Sequence, residues 1–224
     1  MLLLSERVTL FENLHKEWFS NEQFWFDKKP ENDHYLSNKY FEHIKFAFDC
    51  DIENLKKQNM DVKIGAILAY DQLPRHFNRI FNITGMEYSN VYSKIAAEIS
   101  LSIMTEVCGK TNTYDNISIA EWCFIMMPFR HLKDVSKIEK CIDFMLSKFN
   151  NVYISMNEKN MCSNFILNSI KDIHGSNTTD IVSVYNRHFE KNINVKNQWN
   201  ILEDIQVQHY DRIEDTFQKQ SHVQ

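Results

Sequence analysis

Apolar residues recur along this chain at spacings of three and four, the period of a helix with one face turned to a core. Val8, Phe11, Leu14 and Trp18 form the first such stripe, with Ser5 placed to cap its helix. After a polar turn over 28–33, the residues Tyr40, Phe41, Ile44, Phe48, Ile52 and Leu55 form a second. A third helix starts at Asp61, carries Ile64, Ile67 and Leu68, and is disturbed at Pro74, which has no backbone N–H to donate. Ser89 opens a long helix with Ile95, Ile99, Ile103 and Val107 on one face and Gly109 at its C-terminal left-handed position. The clearest start is Ser118-Ile119-Ala120-Glu121, a capping box before the apolar run that Pro128 is expected to end. Asp134 then caps a helix using Ile138, Ile142, Met145 and Phe149. Further helices are expected over about 158–173, stopped by Gly175, over 179–190, and over 199–217.

No run of strand-like alternation competes with this pattern. The expected fold is all-α: antiparallel helix hairpins packed as a helical array or bundle, in one domain over 1–217 with a polar tail over 218–224.

Composition narrows the classes further. Of 224 residues, 43% are hydrophobic and 25% charged, enough for one sizeable core. Only 4 Gly and 3 Pro are present, too few for the tight turns of a sandwich, barrel or doubly wound sheet. No stretch of 18 apolar residues would span a membrane, and residues 1–4 are too short an apolar start for a signal peptide. A net charge of -5 argues against a dedicated nucleic-acid binder, which needs a basic face. Cys50, Cys108, Cys123, Cys141 and Cys162 show no zinc spacing, so no metal site is expected. They read as reduced core thiols of a cytoplasmic protein. Among 25 basic residues only six are Arg, an imbalance that fits an AT-biased coding sequence and draws attention to each Arg retained.

The common chemical signatures are missing: no phosphate-cradling Gly-rich loop, no GxSxG, no HExxH and no EF-hand loop. Rare residues nevertheless gather in two stretches, Asp71-Gln72-Leu73-Pro74-Arg75-His76-Phe77-Asn78-Arg79 and Pro128-Phe129-Arg130-His131-Leu132-Lys133-Asp134. Each follows an apolar helix. Were the two helix ends neighbours, Arg75, Arg79, Arg130 and His131 would converge as donors with Asp71 and Asp134 to orient them, a site for phosphate or carboxylate. The competing reading is local: Asp134 as a cap, Asp71 as partner of Arg75 or Arg79, and His131 as a cation on the preceding helix dipole.

The motifs resemble an uncharacterised, mainly bacterial family, domain of unknown function nine-two-four. Its pattern runs approximately FWF, WFxxDxxFDxxI, LDQFPRNxYR, PxxHSED and IIxRFGRFPHRN. Phe24-Trp25-Phe26, then His34-Tyr35 with Phe41-Glu42 and Ile44, then the 71–79 stretch, then Pro128, His131 and Asp134 match it in order, with a weaker match over 180–192. DQxPRxxxR is the most specific part. The resemblance implies an all-helical, tetratricopeptide-like fold and importance for Asp71, Gln72, Pro74, Arg75, Arg79, His131, Asp134, Arg187 and Asn192. Departures are His76 and Asn78 in place of Asn and Tyr, Arg130 where acidic or apolar residues are common, and Leu132-Lys133 in place of Ser-Glu.

The expected function is therefore a pocket for a small anionic ligand, phosphate or carboxylate, in a hydrolase or transferase acting on such a metabolite. Arg75 and Arg79 bind the anion with Arg130 adding positive charge, and His131 is the acid or base because imidazole titrates near neutrality. Asp134 or Asp71 orients it, Gln72 and Asn192 give neutral hydrogen bonds, and Arg187 lies at the far side. Two alternatives remain open: an interaction module whose helical groove takes a protein partner, and a degenerate viral or parasite copy that keeps only binding, placed in the host cytoplasm if viral.

Overall fold

A computed structural model describes residues 4–25, 29–44, 51–81, 86–108, 117–149 and 156–174. All the regular structure among the described residues is helical: α1 (Leu4–Ser20), α2 (Pro30–Ile44), α3 (Ile52–Leu55), α4 (Met60–Ile67), α5 (Leu73–Phe81), α6 (Met86–Cys108), α7 (Ile119–His131), α8 (Val135–Phe149) and α9 (Met156–His174). A 3-10 turn, Glu22–Phe24, follows α1, and a π turn, Leu68–Gln72, joins α4 to α5. The expected helices over 179–190 and 199–217, with Gly109 and Gly175, fall outside the described residues. No helix is long and apolar enough to cross a membrane among the described residues.

The chain divides into two compact units, Met1–Leu132 and Lys133–Gln224. In the first, α1 lies on α4, α2 on α5, and α6 on both α4 and α7; in the second, α8 lies on α9. Chain neighbours thus pair in α6–α7 and α8–α9, whereas α1 and α2 take their main partners further along.

Local chemistry explains most of the starts. Asn59 accepts from the Val62 amide at 2.9 Å and caps α4, one residue ahead of the expected start at Asp61. The capping box at Ser118 and Glu121 is present in full. Pro30 occupies the first position of α2, where a helix needs no N–H, so residues 30–33 of the expected polar turn are helical. Ser5 lies inside α1, which already begins at Leu4, so it is not the cap. The second apolar stripe is divided between α2 and the short α3, which Asp51 caps.

Neither internal proline ends a helix, contrary to expectation. The backbone stays right-handed from α4 through the π turn into α5, with Ile67 at φ -58, ψ -45 and Leu73 at φ -59, ψ -40. The widened π turn takes up the ring and the missing donor of Pro74. Pro128 sits inside α7, which ends only where Lys133 turns left-handed at φ 53.

The first core is built on α4, whose residues Val62 to Ile67 are all buried, and on the fully buried Trp18 and Trp122. Gly65 is required where α1 crosses α4, since a Cβ there would stand 1.9 Å from the carbonyl oxygen of Phe11. The second core holds Ile138, Cys141, Ile142 and Met145 of α8 with Phe165, Ile166 and Ile170 of α9. Cys123, Cys141 and Cys162 are buried thiols outside any disulfide, and burial pushes the Cys123 and Cys141 thiols up to about 12, as inert core thiols behave.

Candidate functional site

Two consecutive polar side chains, Asp71 and Gln72, both point into the first core because the π turn adds a residue to the helical repeat there. The Asp71 carboxylate has no exposed surface and is surrounded by donors. His131, the last residue of α7, brings Nδ1 to 2.7 Å from Oδ2 and 2.9 Å from Oδ1. Ser93 of α6 donates its hydroxyl to Oδ1 at 2.7 Å, and Gln72 donates Nε2 to Oδ2 at 2.6 Å. Arg75, one turn along α5, lies at 3.7 Å through Nη2 and donates the same nitrogen to Ser93 Oγ at 3.2 Å. Burial opposes ionisation of Asp71, but the His131 ring, Arg75 and Ser93 outweigh it and hold the carboxyl below its usual range. An ionised Asp71 can only accept, so His131 carries its proton on Nδ1 and leaves Nε2 facing away. Burial pulls the Arg75 guanidinium down, with Asp71 opposing.

A second carboxylate organises a second group. Asp33 of α2 accepts Arg79 Nε at 2.7 Å and Nη2 at 2.6 Å, a two-pronged pair, and lies 2.6 Å from His76 Nδ1. Burial and the neighbouring Arg79 push His76 down to about 4 despite Asp33, so this ring is neutral at neutral pH. Its edge meets the face of Trp18 at 5.6 Å. Burial opposes the charge on Asp33, and Arg79 and His76 outweigh it.

The sequence-derived candidates therefore separate. Asp71, Gln72, Arg75 and His131 converge. Arg79 does not join them, being committed to Asp33. Arg130 is half-buried with Nη1 3.6 Å from Met127 Sδ. Asp134 belongs to the second unit, where it caps α8 by accepting the Lys137 amide at 3.2 Å and pairs with Lys137 Nζ at 2.7 Å. Arg187 and Asn192 lie outside the described residues.

The family model described as "Bacterial protein of unknown function (DUF924)" matches residues 14–200. The chain belongs to this family. No curated protein and no solved structure matches it. Within this DUF924 chain, the DQxPRxxxR stretch is the segment that delivers a residue to each carboxylate group: Arg75 to Asp71, Arg79 to Asp33.

Ser93 and Asp33 were missed by reading the sequence, although a signal for both exists. Ser93 stands in phase with Ala96, Ser100 and Ile103 on the buried stripe of α6. Asp33 stands in phase with Leu36, Ser37 and Tyr40 on the buried stripe of α2. Burying a polar residue is costly unless it is hydrogen-bonded, and both are: Ser93 to Asp71, Asp33 to Arg79 and His76. Among the described residues no group of three or more His, Cys, Asp or Glu is arranged to hold a metal ion.

Proposed function

We propose that the Asp71-centred network is a small-molecule site in which Arg75 holds a phosphate or carboxylate and His131 exchanges a proton with the bound metabolite, as in a hydrolase or transferase. One observation carries this reading. His131 is anchored through Nδ1 by a fully buried carboxylate, its side chain is 23% exposed, and Nε2 has no hydrogen-bond partner among the described residues. An imidazole held in that way is oriented for acid–base work at its outer nitrogen, with the carboxylate stabilising the imidazolium that forms. Arg75 supports the reading: its side chain is 28% exposed, and Nε is buried with no acceptor among the described residues.

The test is a thermal-shift titration with inorganic phosphate and with acetate on wild type, Arg75→Ala and His131→Ala, each checked by circular dichroism. The reading requires a saturable shift in wild type that Arg75→Ala abolishes. Folded Arg75→Ala protein with an undiminished shift would sink it. Asp71→Asn should cost about 3 kcal/mol of stability, since it removes the charge that Arg75 and His131 face in a buried place. A change within ~0.5 kcal/mol in urea denaturation would show that the network is not organised by that charge.

A further inference from the structure

We infer that Ser93 is the positioning residue of this site: set between Asp71 and Arg75, its hydroxyl holds the guanidinium off the carboxylate, keeping Asp71 for His131 and Arg75 for the ligand. The ligand half of this statement rests on the proposed function; the half concerning His131 does not.

Asp71 and Arg75 are one helical turn apart, carry opposite charges, and yet stand 3.7 Å apart rather than in hydrogen-bond contact. The Ser93 hydroxyl fills the space between them. It donates to Asp71 Oδ1 at 2.7 Å and accepts Arg75 Nη2 at 3.2 Å, so one oxygen satisfies both groups in opposite senses. Ser93 is fully buried. Its loss would leave Oδ1 with His131 Nδ1 alone, at 2.9 Å, and Nη2 without an acceptor among the described residues. The two then satisfy each other by closing to a direct charge-assisted contact of ~2.8 Å.

That closure has a readable electrostatic consequence. Asp71 faces His131, Gln72, Ser93 and Arg75, and Arg79 acts on Arg75 from the next turn. A guanidinium in direct contact neutralises more of the carboxylate, so the imidazolium form of His131 is less favoured and the ring gives up its proton at lower pH. Arg75, once paired, is also less available to an external anion.

The experiment is an NMR titration of the His131 ring in the full chain for wild type, Ser93→Ala, Ser93→Thr, Arg75→Met and the Ser93→Ala/Arg75→Met double variant, with His131→Gln assigning the signal. Ser93→Ala should move the midpoint of the His131 ring signal to lower pH. Ser93→Thr, which keeps the hydroxyl, should restore it, and the drop should vanish in the Arg75→Met background. That last comparison does not use the threonine variant, so it decides the matter even if the added methyl of threonine is not accommodated. Folded Ser93→Ala protein with an unchanged His131 pKa overturns the inference, and so does an equal drop with and without Arg75. In parallel, Ser93→Ala should bind inorganic phosphate about tenfold more weakly than wild type. If wild type binds no phosphate while the His131 shift appears as expected, the ligand reading falls and the positioning of Asp71 by Ser93 stands.

Discussion

Acidification should weaken the first unit well before its carboxylates protonate, and His76 is the reason. Its side chain is 5% exposed, it lies 2.8 Å from Arg79 Nη2, and burial with that guanidinium brings it to about 4 from an ordinary 6.5. In the unfolded chain the same ring takes up its proton near pH 6.5. Between about pH 6.5 and 4 the unfolded state therefore binds a proton that the folded state refuses, and stability falls as pH falls through that window. A difference of about 2.5 units at 1.36 kcal/mol each is about 3 kcal/mol. Asp33, Asp71 and Glu121 are held below their usual range, so the stability they contribute is lost at lower pH, as pH falls from the ordinary carboxylate range. The assay is urea denaturation of wild type and His76→Gln at intervals from pH 7 to 4.5. His76→Gln should remove most of the slope between pH 6.5 and 4.5, the other titrating groups being common to both proteins. Parallel profiles for the two would refute the reasoning, since His76 would then titrate alike in both states.

Two further perturbations test the packing that carries the site. Gly65→Ala gains about 1 kcal/mol of helix propensity but sets a methyl 1.9 Å from the Phe11 carbonyl oxygen and 2.6 Å from its carbon. Backbone cannot yield as a side chain does, so a net loss of ~3 kcal/mol or more is expected in thermal denaturation, and an unchanged or raised Tm would show that α1 does not cross α4 there. Ser118→Ala removes the hydroxyl that accepts the Glu121 amide at 3.2 Å and should cost about 1 kcal/mol in urea denaturation; Glu121 keeps His15 at 2.8 Å, so a loss several times larger would mean that the cap also fixes α1 to α7.

How much of this the sequence discloses depends on how far apart the partners are. The capping boxes and caps at Ser118 and Asp134 are readable because a helix start is decided within four residues. Helix content is readable for the same reason: the stripe of α1 needs only its own spacing. The two prolines mislead because the rule that proline stops a helix is local, whereas burial on all sides lets a π turn or a continuing helix absorb the defect. The partner of Arg79 is the hardest to foresee, for Asp33 lies 46 residues away and nothing within residues 71–79 separates Arg79 from Arg75.

Those two arginines show why the three-dimensional setting, and not residue type, distinguishes a lock from a site. Each is paired with a buried aspartate that also holds a histidine through Nδ1. Around Asp33 the guanidinium is docked on both oxygens at 2.6 and 2.7 Å, the imidazole is 5% exposed and neutral, and the group ties α2 to α5. Arg79 keeps 35% of its side chain exposed, but the edge it turns to Asp33 is fully engaged. Around Asp71 a serine stands where the second prong would dock, the guanidinium stays at 3.7 Å, and the imidazole is 23% exposed with no partner at its outer nitrogen among the described residues. The chemistry of the two clusters is the same in kind, so the more exposed imidazole and the guanidinium held off its carboxylate are what single out Asp71. That difference traces to one buried hydroxyl on α6, a residue that neither rarity nor charge would have selected.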